Sequence, residues 1–98
     1  MKIAVLGYGV VGSGAYEILV GNSENIAKKA GQNIDVKYIL DLRDFDGLSY
    51  SDKFIKDFNV ILNDPEVKVV VEAMGGSHPA YDFSKKALLA GKSVVTSN

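Results

Sequence analysis

The residues with the clearest chemical capacity in this chain are glycines. Gly7-Tyr8-Gly9-Val10-Val11-Gly12 spells G-x-G-x-x-G directly after the apolar run Ile3 to Leu6 and directly before a segment of helical periodicity. In that setting each glycine has a physical task. Gly7 permits the tight turn out of a strand, Gly9 lets a pyrophosphate approach the backbone, and Gly12 lets the helix pack close to the sheet. The free N–H groups at the helix start, with the helix dipole behind them, then attract phosphate charge. Without such flanks the same glycines would make only a structural strand-to-helix turn. Val10 and Val11 enter the candidate site as members of this loop. So does Tyr8, whose side chain reads as packing that covers the crevice or faces solvent.

A dinucleotide fingerprint also expects an acidic residue about 20 positions further on, at the end of the second strand. Asp41 lies later than that, because the first helix and its following turn are long, and Arg43 stands beside it. A carboxylate there accepts from the adenosine ribose hydroxyls, whereas a guanidinium pairs with a 2′-phosphate. A solvent-facing strand end is the plainer reading of each, and the pair leaves NAD and NADP both open. Glu72, at the end of another apolar strand, has the chemistry to bind a ribose or a cation. The alternative favoured for it is a hydrogen-bonded carboxylate that organises loop amides. His78, the only histidine, precedes Pro79 at a helix start, which suits a capping or exposed role better than a chemical one. With no cysteine, thiolate nucleophiles, disulfides and zinc–thiolate sites are excluded, and no metal site is expected.

Apolar runs alternate with helix-period segments, the pattern of a parallel α/β sheet. Ile3 to Leu6 reads as a strand buried on both faces. Ala15, Ile18, Leu19, Ile26, Ala27 and Ala30 set the apolar face of a helix that Gly21-Asn22-Ser23 kinks or divides, with Gly31 as its stop. Val36 to Leu42 reads as a second strand and Asp44 to Asp52 as a polar loop. Lys53 to Lys56 is a short third strand, and Phe58, Ile61 and Leu62 make a helix ending before Pro65. Val67 to Val71 is a fourth strand, Pro79 to Ala90 a helix with Gly91 past its end, and Ser93 to Ser97 a fifth strand. The expected fold is Rossmann-type: α/β, doubly wound, mainly parallel, with strand order 3-2-1-4-5. The carboxyl end of the fourth strand, with Met74 and Gly75, then lies beside the glycine loop at the topological switch point. Thr96 and Asn98 end the next strand along the same edge, near the nicotinamide half.

At 98 residues the chain is expected to form a single domain, 1–98, with a modest core. A net charge of −1, from 11 basic against 12 acidic residues, gives no footprint for nucleic acid or for an anionic membrane. The adjacent pairs Lys28-Lys29 and Lys85-Lys86 read as solvated helix faces. No secretory signal precedes Ile3, and no apolar run approaches the ~20 residues needed to span a bilayer. A cytoplasmic protein is therefore expected.

The chain also resembles homoserine dehydrogenase. The resemblance is carried by Gly7 through Gly14, Leu42-Arg43-Asp44, Val70-Val71-Glu72 with Gly75-Gly76, and Pro79-Ala80-Tyr81. It continues through Ala87-Leu88 and the run Gly91-Lys92-Ser93-Val94-Val95-Thr96-Ser97-Asn98. It covers essentially the whole chain, and the last segment is the most specific. It implies an NAD- or NADP-dependent oxidoreductase interconverting homoserine and aspartate 4-semialdehyde in threonine and methionine biosynthesis. It implies that Gly9, Val10 and Val11 hold the pyrophosphate, that Arg43 lies by the adenosine ribose, and that Met74, Gly75, Thr96 and Asn98 lie near the nicotinamide. The family's catalytic lysine follows the segment matching Val95 to Asn98, so the 98 residues are expected to bind cofactor and to be inactive alone. Substrate binding and homo-oligomer formation are expected of a further domain. Two other readings share the cofactor site: a stand-alone nucleotide-sensing module, and the cofactor half of another amino-acid or semialdehyde dehydrogenase.

Overall fold

The computed structural model describes residues 1–75 and 78–96, with His78 as backbone only. The strands are β1 (Lys2–Leu6), β2 (Asp35–Leu40), β3 (Phe54–Ile55), β4 (Val67–Glu72) and β5 (Ser93–Thr96). The helices are α1 (Val10–Gly21), α2 (Ser23–Ala30), α3 (Phe58–Leu62) and α4 (His78–Leu89), with a 3-10 turn at Ser51–Lys53. The strands form one parallel sheet in the order β3-β2-β1-β4-β5, as the alternation of elements requires. Connections reverse direction at β1, which places the carboxyl ends of β1, β2 and β4 around one crevice.

Side chains of β1 alternate between two cores. Ala4 and Leu6 pack with Leu40, Phe58, Ile61, Val70 and Ala87 beneath α3 and α4. Val5 packs with Tyr16, Val36 and Ile39 beneath α1. A strand so covered has to be apolar throughout, which explains the unbroken run Ile3 to Leu6. Lys92 is buried at the opposite end of the sheet, where its ammonium donates to the carbonyls of Asp64 and Val67, both at 2.8 Å. It ties the turn after α4 to the turn before β4. The Lys28-Lys29 and Lys85-Lys86 pairs are exposed, as expected.

Two local expectations are corrected. The first helix does divide at Asn22, and Gly31 does end α2 with a left-handed φ of 74°. Its buried residues, however, are Gly12 and Tyr16, with the expected Leu19 partly buried beside them, while Ile18 is 61% exposed and Ala30 is exposed. The close approach of Gly12 to β1 fixes the helix rotation, so the residues four and seven positions on face the sheet. The second strand stops at Leu40, not at Leu42, which is 79% exposed. The cause is Asp41: its Oδ1 accepts the backbone N–H of Arg43 at 2.9 Å, a local turn that competes with strand continuation.

The helix rotation is testable by stability. Tyr16→Ala is expected to cost about 3 kcal/mol, as for a large buried ring, while Ile18→Ala stays within about 0.5 kcal/mol. Urea unfolding midpoints of the two variants check this, and the reverse ranking would mean that α1 is rotated.

Candidate functional site

The crevice at the carboxyl edge of the sheet has a volume of about 610 Å³. Its floor is Gly7, Tyr8 and Gly9. One flank is Leu40 to Arg43 with Lys56, and the other is Ala73, Met74, Pro79 and Phe83.

Gly7 leaves β1 with φ +94°, which a side chain rarely tolerates. A Cβ at Gly12 would lie 1.8 Å from the Gly7 carbonyl oxygen, so only glycine lets α1 start this close to the turn. Gly9 differs. A Cβ there would meet nothing within 4 Å, so its lack of a side chain serves open space above the loop and not packing. Gly9 is also the N-cap of α1 and offers no side-chain cap; the first intrahelical bond runs from Ser13 N–H to its carbonyl. The N–H groups of the first turn are thus left without a side-chain cap, directly after the crevice residues Gly7 to Gly9. An open cradle, uncapped amides and a helix dipole together fit a phosphate group. Val10 and Val11 stand at that helix start with exposed side chains.

Tyr8 is held from two directions. Its N–H donates to Asp41 Oδ2 at 2.9 Å, so that amide is occupied. Its ring packs edge-on against Phe45 and Phe54, and its hydroxyl bonds that of Tyr50. Burial, then the Tyr50 hydrogen bond, push the Tyr8 hydroxyl up to about 12. The side chain is therefore packing, as expected for it, and it anchors the loop to the segment before β3.

Asp41 is the hub of the second-strand flank. Besides Tyr8 N–H and Arg43 N–H, its oxygens accept Arg43 Nε at 3.1 Å and Arg43 Nη2 at 3.0 Å. The Arg43 side chain first, then the Arg43 and Tyr8 amides, hold its carboxyl at about 2, against the opposing effect of burial. Arg43 is exposed, bidentate on Asp41, and lies over the Phe45 ring at 5.2 Å. The sequence placed these two residues together; the structure adds that they are bonded to each other.

Of the other expected site residues, Met74 lines the crevice, and its Cγ would lie 3.2 Å from a Cβ at Gly7. Gly75 follows with φ +74°. Thr96 is not among the crevice-lining residues; its hydroxyl donates to Glu72 Oε1 at 2.9 Å. Asn98 lies outside the described residues, as does the His78 side chain. Glu72 organises loop groups, the reading favoured for it. Leu40, Leu42, Lys56, Ala73, Pro79 and Phe83 line the crevice without having been expected as site residues. Lys56 was within reach of the sequence: it follows a strand beside β2, so it had to emerge next to Asp41, whose N–H bonds Ile55 O at 3.1 Å.

Residues 7–98 match the family model described as homoserine dehydrogenase, NAD binding domain. The chain belongs to this family. It is 38% identical to the homoserine dehydrogenase of Pseudomonas aeruginosa and 35% identical to that of Lactococcus lactis, in each case over 100% of its length. It covers 23% and 24% of those two proteins, so it spans about a quarter of the length of its curated relatives. Crystal structures of Staphylococcus aureus homoserine dehydrogenase superpose on all of it with a TM-score of 0.86 at 38% identity, over 26% of that chain. The family match makes NAD(P) the cofactor class of this domain. Among the described residues no helix is long and apolar enough to cross a membrane.

Two outcomes follow from the site. Gly9→Val is expected to keep the fold and abolish dinucleotide binding, because its side chain enters free space that a pyrophosphate needs. Gly12→Ala is expected to lose both, because its Cβ collides with backbone. Circular dichroism beside NADH and NADPH titration separates the two; a binding-competent Gly9→Val would take the loop out of the cofactor site. The low pKa of Asp41 lies below its unfolded value near 3.9. Its stabilising contribution is therefore full above about pH 4 and lost as pH falls through about 2. The stability difference between the parent and Asp41→Asn is expected to shrink across that window and to be flat from pH 5 to 8.

Proposed function

We propose that this chain is the cofactor-binding domain, residues 1–98, of an NAD(P)-dependent homoserine dehydrogenase that interconverts homoserine and aspartate 4-semialdehyde. One observation carries the reading: the glycine loop opens onto a crevice beneath an uncapped helix start, with Asp41 and Arg43 on one flank and Met74 on the other. The bound dinucleotide supplies hydride transfer, and the protein supplies position and field. Backbone amides of Gly9, Val10 and Val11 hold the pyrophosphate. Gly7 and Gly12 shape the turn that aims them, and Tyr8 anchors it. Arg43 reads the adenosine ribose, with Lys56 beside it. Met74, Gly75, Thr96 and Asn98 lie toward the nicotinamide half. Substrate binding, the catalytic proton transfer and pairing of subunits belong to parts of the enzyme outside the matched domain, and its setting is the cytoplasm.

The bonding of Asp41 favours NADP(H) within this reading. Its oxygens already accept from Tyr8 and Arg43, so a ribose diol would have to displace a bidentate guanidinium. A 2′-phosphate instead meets Arg43 as Asp41 presents it, with the Lys56 ammonium, 2.7 Å from Asp44, on the same flank.

Fluorescence titration of the chain with NADH and NADPH tests the reading, and homoserine oxidation in the same preparation is expected at background. Arg43→Ala is expected to weaken NADPH by about tenfold, the scale of a hydrogen bond to a charged group, and NADH by much less. An unchanged ratio would show that Arg43 does not read the 2′ position. Failure of the parent chain to bind either dinucleotide would refute the cofactor reading.

A further inference from the structure

Glu72 is the last residue of β4 and is 3% exposed. Among the described residues no lysine or arginine lies within ion-pair distance of it. A buried carboxyl without a cation is costly unless hydrogen bonds replace its lost water. Here each oxygen has one such bond, and the donors belong to different segments. Oε2 accepts the backbone N–H of Met74 at 2.5 Å, and Oε1 accepts the hydroxyl of Thr96 at 2.9 Å. Met74 belongs to the loop that forms one wall of the crevice, close enough to Gly7 that a Cβ there would lie 3.2 Å from its Cγ, while Thr96 ends β5. One side chain thus links the loop after β4 to the end of β5, whose Thr96 is its register partner.

In a sheet of this order the adenosine half lies toward β2 and the pyrophosphate at the β1–α1 turn, which leaves the nicotinamide half over β4. We propose that Glu72 is a positioning residue for that half: by holding the Met74 amide and the Thr96 hydroxyl at once, it fixes the wall against which the nicotinamide ribose and ring are seated. This rests on the dinucleotide reading above. Both of its bonds are accepted ones, but the Thr96 hydroxyl can also accept, so the isosteric amide can keep both contacts by reversing the second. Glu72→Met, of similar length and without a comparable acceptor, removes both.

The test compares ligands that share the adenosine half and differ in the other, on the full 98-residue chain. The pairs are NADH with ADP-ribose, and NADPH with its 2′-phosphorylated ADP-ribose counterpart, titrated by calorimetry and nicotinamide fluorescence. Glu72→Met is expected to weaken the reduced dinucleotides by about tenfold, the scale of one hydrogen bond, and to reduce the blue shift of bound nicotinamide emission, while Glu72→Gln stays close to the parent. ADP-ribose affinity is expected to stay within about twofold. Thr96→Val, at an exposed position that does not threaten folding, is expected to act in the same direction, and Thr96→Ser to restore parental binding. Should Glu72→Met fail to fold, the Thr96 pair decides. Parallel loss of both ligand types, or no change in either, would overturn the positioning role while leaving the cofactor reading intact. A parent chain that binds neither ligand type would overturn the cofactor reading, and this inference with it.

Discussion

The contact between Gly12 and the Gly7 carbonyl sets the geometry on which the rest of the site depends. With a would-be Cβ 1.8 Å from that oxygen, α1 has to begin against the turn out of β1. That closeness sets the uncapped start of α1 directly beside the crevice residues Gly7 to Gly9. It also fixes the rotation of α1, so that Tyr16 and not Ile18 enters the core with Val5 and Ile39. Packing and ligand geometry share one cause, which is why a single methyl group at Gly12 is expected to damage both.

A loop shaped by glycines is cheap to distort, since glycine has more backbone freedom to lose on folding. The chain compensates at Tyr8, the residue between two of them. Its amide is bonded to Asp41, its ring is held by Phe45 and Phe54, and its hydroxyl by Tyr50. The segment between β2 and β3 looks like a polar loop in sequence, yet it supplies Phe45 and Tyr50 to this cluster. Long-range aromatic contacts of this kind leave no periodic mark, so nothing in the spacing of residues 44–52 announced them.

The sheet order and the glycine loop were legible because they rest on local rules: apolar runs for strands buried on both faces, and a G-x-G-x-x-G between strand and helix. The end of β2 was not. Val36, Tyr38, Leu40 and Leu42 alternate as a strand should, but Asp41 turns the chain by bonding the Arg43 amide, and that turn frees Leu42 to line the crevice. The α1 face was misread for a related reason. Periodicity gives the apolar side of a helix, but a glycine contact chose which residues of it meet the sheet. In both cases a tertiary or side-chain-to-backbone interaction overrode a propensity pattern that was otherwise sound.

The two carboxylates at the crevice are better understood together. Asp41 follows Leu40, and Glu72 ends β4; Leu40 and Glu72 both pair with Leu6, so the acids flank the end of β1 from opposite sides. Each is largely buried and accepts a backbone amide, Tyr8 for Asp41 and Met74 for Glu72. Left unbonded, either would set negative charge against an anionic pyrophosphate. Engaged with loop amides, an arginine and a hydroxyl, they instead brace the two walls of the crevice, while Arg43 and the uncapped start of α1 face its opening. The acidic residues therefore stabilise a site for an anion by being hydrogen-bonded to the scaffold, which is the opposite of what their charge alone suggests.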